Sequence, residues 1–162
     1  MGQEQSNIPS YHGLQPGVYR IVSVPADTAI TIPSRGVERI EAWQRSNDEG
    51  QKWLVKPSGD GYTFQNRKHS TYMSVGSTDV QSQVYASKFP TKWELLKQGD
   101  HYLINKPGND RVLDLHWGWF TNGNKIHIRP RDNHACKHWK FEFLKDDTKP
   151  DTFYILRNLF SL

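Results

Sequence analysis

The sequence predicts an all-β domain assembled from three similar units, and three observations carry that prediction. Tyrosines that open short apolar strands recur about forty residues apart, in Gly17-Val18-Tyr19-Arg20-Ile21, Gly61-Tyr62-Thr63-Phe64 and His101-Tyr102-Leu103-Ile104. Tryptophans that close each unit recur with nearly the same period, in Gln51-Lys52-Trp53-Leu54-Val55, Thr91-Lys92-Trp93-Glu94-Leu95 and Lys137-His138-Trp139-Lys140-Phe141. Between these anchors, residues 17–144 carry no strong periodicity of an amphipathic helix.

Each unit supplies four short strands. After the opening strand comes an alternating pair of apolar residues: Ile30-Thr31-Ile32, Met73-Ser74-Val75 and Leu113-Asp114-Leu115. A third strand follows as Ile40-Glu41-Ala42, Val84-Tyr85-Ala86 and Ile126-His127-Ile128, and the tryptophan strand is the fourth. Gly, Pro, Asn and Asp punctuate the gaps, as turns require. No single unit can bury its apolar face alone, so the three must share one core. The natural closure is a β-trefoil with three pseudo-symmetric repeats (about 17–58, 59–98 and 99–144), six strands forming a barrel and six capping it. A propeller has blades of similar period, but three blades are too few to close one. Trp53, Trp93 and Trp139 stand at equivalent positions, so they are expected in the core.

The bulk properties bound the function. A chain of 162 residues suits one domain. A mean hydropathy of -0.78 and the lack of any long apolar run exclude a membrane-spanning helix. The net charge is +4, but Lys and Arg are spread among acids. The densest basic patch is Lys137, His138 and Lys140 with Arg129 and Arg131, and no RNP, helix-turn-helix or zinc-finger pattern accompanies it. Nucleic acid is therefore not the expected partner. A single cysteine, Cys136, rules out an internal disulfide. Residues 1–16 read as a polar arm; Met1-Gly2 with Ser6 formally fits a myristoylation pattern, but that pattern is short and common and a plain polar start is the expected reading. Met1 to Gln15 lack the apolar stretch of a secretory leader, which sets the expectation of cytoplasmic residence or unconventional export.

The motifs resemble those of the ricin B-like lectins. The closing Gln-x-Trp of that family is kept in Gln51-Lys52-Trp53, whereas the second and third units keep only the Trp. Val112-Leu113-Asp114-Leu115 followed by Phe120-Thr121-Asn122-Gly123-Asn124-Lys125-Ile126-His127-Ile128 is similar to the family's second and third strands. The resemblance covers residues 17–144 and implies a lectin without catalysis or cofactor. Its partners would be glycans or glycoproteins bearing galactose- or N-acetylgalactosamine-type residues. Fungal lectins of this type are similarly Cys-poor single domains.

The family's sugar-gripping acid lies on the second strand, and there the three repeats carry Thr31, Ser74 and Asp114. Only the third keeps an acid, so the first two sites are expected to be dead or altered. A carboxylate accepts from sugar hydroxyls, an aromatic face packs on the ring's C–H face, and an amide or similar group donates. The stacking position holds Arg129 in the third repeat, Trp43 in the first and Ser87 in the second. In the third repeat Trp117 or Trp119 can take over the stacking, or Arg129 can lay its guanidinium along the ring. Asn122, in an Asn-Gly turn, and the Asn133-His134 pair can donate to hydroxyls. The expected site residues are thus Asp114, Trp117, Trp119, Asn122, Arg129, Asn133 and His134.

Other chemistry has less behind it. His134, Cys136 and His138 alternate and would share a face on one strand, but a structural role is expected and no metal. Asp110 and Asp114 have no support as a glycosidase pair beyond being acids. Fungal trefoil protease inhibitors resemble the chain too. On that alternative Pro33-Ser34-Arg35-Gly36 or Lys68-His69-Ser70 would enter a protease cleft. After the polar connector Lys145–Asp151, residues 153–160 are strongly apolar; they are expected to pack on the barrel or to form a homodimer contact.

Overall fold

A computed structural model describes residues 13–145 apart from 35 and 37. The polar start up to His12, Arg35, and the connector and apolar tail from Asp146 onward lie outside the described residues. Twelve strands and three short 3-10 turns account for the described secondary structure. The first repeat holds β1 (Gly17–Ser23), β2 (Thr28–Thr31), β3 (Glu41–Gln44) and β4 (Trp53–Ser58). The second holds β5 (Gly61–Asn66), β6 (Tyr72–Val75), β7 (Val84–Ser87) and β8 (Glu94–Gln98). The third holds β9 (His101–Asn105), β10 (Arg111–Leu115), β11 (Asn124–Pro130) and β12 (Trp139–Lys145). No helix among the described residues is long and apolar enough to cross a membrane.

Six strands close into a barrel. Antiparallel ladders join β12 to β1, β1 to β4, β4 to β5, β8 to β9 and β9 to β12. The remaining seam, β5 to β8, is closed by Tyr62 and Trp93, whose backbone amides donate to each other's carbonyls at 2.8 Å. Closure leaves no open edge on the barrel. The tight turns after β4 and β8 put Gly59 and Gly99 at φ +60° and +64°, a conformation that side chains resist. The other six strands form three hairpins, β2–β3, β6–β7 and β10–β11. These meet one another through Ala42 and Asn124, Arg39 and Tyr85, and Gln83 and His127. The architecture is a β-trefoil.

The tryptophans set the symmetry. Trp53, Trp93 and Trp139 are all fully buried. A buried indole N–H must find an acceptor, and each reaches back to the second strand of its own repeat. Trp53 Nε1 donates to the Ile30 carbonyl at 2.9 Å, Trp93 to Met73 at 3.0 Å and Trp139 to Leu113 at 3.2 Å. The same indole thus fills the core and staples a hairpin to the barrel. Ile21, Phe64 and Ile104 from the opening strands, with Ile30, Met73 and Leu113, complete the layer between them. Residues 13–16 also belong to the packed domain, because the Leu14 and Gln15 carbonyls accept from the hydroxyls of Tyr62 and Tyr19.

The strand ends differ slightly from the sequence reading. Gln51 and Lys137, read as strand residues, close 3-10 turns instead, and β4 and β12 begin at the tryptophan itself. The turn lets each of these side chains point back into the loop behind it.

Candidate functional site

The β10–β11 hairpin positions the third-repeat acid. Leu113 and Leu115 face the core, so alternation turns Asp114 to the opposite face. On β11, Ile126 and Ile128 face the core and His127 turns outward with Arg129. The ladder sets Asp114 directly across from His127. His127 Nε2 lies 2.8 Å from Asp114 Oδ2, and both side chains are almost fully buried. Among the described residues Asp114 Oδ1 has no hydrogen-bond partner, so one oxygen is fixed by the imidazole and the other is unpartnered.

The loop after β10 is folded back over this pair. His116–Gly118 make a single 3-10 turn, with Trp117 at φ +54° and Gly118 at φ +66°. A tryptophan in the left-handed region is strained by about 1 kcal/mol or more. Asn124 holds the loop there, its Nδ2 donating to the carbonyls of His116 at 2.9 Å and Trp119 at 3.0 Å. Gly118 is required as well: a Cβ there would meet Cys136 Sγ at 3.0 Å. The result is a rigid platform. Trp117, 71% exposed, stacks on Trp119 with ring centroids 6.5 Å apart, and His116 stands edge-on to both indoles and to His127.

The facing wall is the segment before β12. Lys137 is almost fully buried, and its ammonium donates to the Pro130 carbonyl at 2.7 Å and pairs with Asp132 at 2.8 Å. That ammonium, then the His134 amide, hold the Asp132 carboxyl below its usual pKa. Between the two walls lies a hollow of about 410 Å³, floored by Asp114 and His127 and walled by Trp117, Arg129, His134 and Lys137. His116 and Cys136 border it too, and Gln81 reaches it from the second repeat. Burial, then the neighbouring His127, hold the His116 imidazole below its ordinary pKa. Burial, then the charge of Asp114, push the Cys136 thiol up, away from the reactive thiolate.

Four of the residues expected from sequence, Asp114, Trp117, Arg129 and His134, therefore line one hollow. The other three do not line it. Trp119 backs Trp117 from the outside. Asn122 spends its Oδ1 on the Gln44 amide of the first repeat at 2.7 Å. Asn133 Oδ1 meets His138 Nε2 at 3.1 Å, with His138 packed against His101. His134, Cys136 and His138 flank or occupy a 3-10 turn rather than one strand face, and no metal-binding cluster occurs among the described residues. Asp110 pairs with Arg131, away from Asp114. The sequence reading missed His127, His116, Lys137 and Gln81. His127 was detectable, since aligned strands place it opposite Asp114; Gln81 was not, because it arrives from another repeat.

The first repeat is not devoid of acid. Glu41 lies directly across the hairpin from Thr31, within 3.3 Å of Trp43 Nε1 and 2.8 Å of Arg39. These three line a hollow of about 470 Å³. In the second repeat the corresponding pair is Ser74 and Tyr85, and Ser74 accepts from Thr91.

Residues 11–85 match the family described as ricin-type beta-trefoil lectin domain-like. The chain is a β-trefoil whose first half resembles the ricin-type lectins. The match takes in the first repeat, which keeps Gln51-Lys52-Trp53, and the second as far as β7. Among solved structures, the Macrolepiota procera ricin B-like lectin in complex with lactose aligns with a TM-score of 0.78 at 19% identity, covering 82% of this chain and 99% of that one. The Rhizoctonia solani agglutinin aligns with a TM-score of 0.75 at 21% identity, covering 82% and 98%. A proteinase inhibitor from Coprinopsis cinerea shares the fold with a TM-score of 0.67 at 14% identity, covering 82% and 100%. At such identities these likenesses speak for the trefoil fold alone. No curated protein sequence matches the chain. Of the loops considered for an inhibitor, Lys68 is ion-paired with Asp48 at 3.3 Å, and Asn66 Oδ1 accepts from the Lys68 amide at 3.0 Å.

Proposed function

We propose that this β-trefoil is a carbohydrate-binding protein that grips a galactose- or N-acetylgalactosamine-type residue in the third-repeat hollow without transforming it. The observation that carries this reading is the free oxygen of Asp114 beside the exposed, strained face of Trp117. Asp114 Oδ1 accepts from sugar hydroxyls while His127 keeps the carboxylate aimed. Trp117 covers the apolar C–H face of the ring. Arg129 and His134 donate from the opposite wall. The lactose bound by the Macrolepiota procera lectin contains galactose, which supports the sugar class. The elevated Cys136 thiol supports binding rather than nucleophilic chemistry, because a protonated thiol attacks poorly. Affinity per site is modest, since sugar hydroxyls exchange water for protein at little net gain.

The test is a glycan array followed by calorimetric titration with the best hit. Asp114→Asn preserves the shape but changes the acceptor oxygens, and it should weaken binding at least about tenfold, or ~1.4 kcal/mol. Asp114→Ala is the poorer probe, because stranding the buried His127 costs about 1–3 kcal/mol of stability in its own right. Unchanged affinity in a folded Asp114→Asn variant would remove the sugar from this hollow. Inhibition of trypsin or papain by the wild-type chain would instead support the inhibitor reading.

A further inference from the structure

A second cleft, of about 540 Å³, opens where the first repeat meets the third. Its walls are the turn between β1 and β2, the end of β3 and the loop between β10 and β11. None of its side chains lines the third-repeat hollow. We propose that this cleft is a separate carbohydrate site, taking one neutral pyranose unit. The proposal stands on the cleft's own side chains and not on the third-repeat reading.

Four features carry it. Phe120 is 77% exposed and stabilises no core, so its face is available to an apolar surface. Asp27 presents a carboxylate at φ +59°, with Oδ1 held by Arg45 at 3.1 Å and the side chain 75% exposed. Asn122 accepts the Gln44 amide through Oδ1, so its Nδ2 must face the other way; among the described residues that NH₂ has no acceptor. Thr28 is only 4% exposed, yet its Oγ1 finds no hydrogen-bond partner among the described residues. A buried hydroxyl left unsatisfied costs about 1–3 kcal/mol, and Thr28 lines the cleft, so a small rotation of its side chain would offer that hydroxyl to a ligand.

Together these are an acceptor, a pair of donors, an orphaned hydroxyl and an aromatic face around one space. A pyranose offers the complement: hydroxyls that both donate and accept around its rim, and a C–H face without polar atoms. An anion would face the Asp27 carboxylate. Phe120 follows Trp117 by three positions on one loop, so the two aromatic platforms lie within roughly 11 Å along the chain. Two sites so close on one rigid loop give a branched or multivalent glycan an avidity that neither provides alone.

The cleft can be tested by amide NMR of the full chain, titrated separately with the methyl glycosides of galactose, glucose and mannose and with N-acetylgalactosamine. At least one sugar should give saturable shifts at Thr28, Gln44 and Phe120 to Asn122, and these should persist in Asp114→Asn. Phe120→Ala should weaken that response about fivefold to tenfold. Thr28→Val keeps the side-chain shape and removes only the hydroxyl; it should leave the melt unchanged or higher while weakening the response severalfold. The proposal is overturned if no sugar shifts this cluster, if the shifts vanish with Asp114→Asn, or if they survive both Phe120→Ala and Thr28→Val. Silence at Asp114, Trp117 and Arg129 alone would count against the third-repeat site and leave this one standing.

Discussion

In the first repeat, the loop behind the closing tryptophan is tied down by an amide; in the third, the same loop is tied down by an ion pair. Gln51 Nε2 donates to the Gln44 carbonyl at 2.8 Å, and its Oε1 accepts from the Ser46 amide at 2.9 Å. Lys137 donates to the Pro130 carbonyl, the same seven positions back. An ammonium cannot accept, so the second contact must be replaced. The residue five positions back is Asp132, whose carboxylate takes the ammonium's charge. The backbone tolerates either solution because each leaves the buried tip satisfied. The difference matters for the site, since the ionic version brings a cation and a carboxylate to the rim of the third-repeat hollow.

The sharpest way to break this comparison is to graft half of it. Gln51→Lys puts an ammonium at a position 2% exposed with no acid to meet it. An uncompensated buried charge costs about 3–5 kcal/mol. Adding Ser46→Asp should recover at least half of that, and a double-mutant cycle by chemical denaturation measures the coupling. Additivity of the two changes would show that the loops are not held in equivalent ways.

A smaller effect distinguishes the site loops. The third repeat strains Trp117 into the left-handed region. Trp117→Gly should therefore hold or raise stability by up to about 1 kcal/mol, while sugar binding falls severalfold. A melt and a titration of the same variant check both halves. A drop in stability together with unchanged binding would reduce Trp117 to a packing residue.

The smallest expected effect is in pH. The first repeat contains no histidine between Gly17 and Ser58, while the third contains His101, His116, His127, His134 and His138. His116 and His138 are held below the ordinary value of 6.5, in each case first by burial. A group whose folded pKa is depressed in this way takes up its proton more readily when unfolded. Stability is therefore unaffected above pH 6.5 and declines as pH falls below it. Amide exchange should accelerate in β10–β12 before β1–β4 as the pH drops from 7 toward 5. Uniform acceleration across the repeats would remove the third repeat as the source.

The fold was legible because its signals are local and repeated. Trp53, Trp93 and Trp139 each announced a buried indole, and the alternation in Met73-Ser74-Val75 or Leu113-Asp114-Leu115 announced hairpin strands. The site was legible only in part. Asp114 and Trp117 could be named from their place in one repeat. Asn122 and Asn133 look like good hydroxyl donors for the third-repeat hollow in the sequence, but the oxygen of one accepts from a neighbouring repeat and that of the other meets a nearby histidine, and neither residue lines that hollow. Nothing along the chain says which of two partners an amide will choose.

By itself, then, the sequence determined the threefold β architecture, its core tryptophans and the repeat that keeps the acid. These follow from periodicity and burial, which act within a few residues or recur at a fixed spacing. Tertiary structure alone decided that His127 holds one oxygen of Asp114, that Glu41 returns a carboxylate to the first repeat, and that Phe120 and Asp27 line one cleft across a seam. Those arrangements depend on strand register and on contacts between repeats, and hydrogen-bond pairing across such seams is set by three-dimensional proximity rather than by position in the chain.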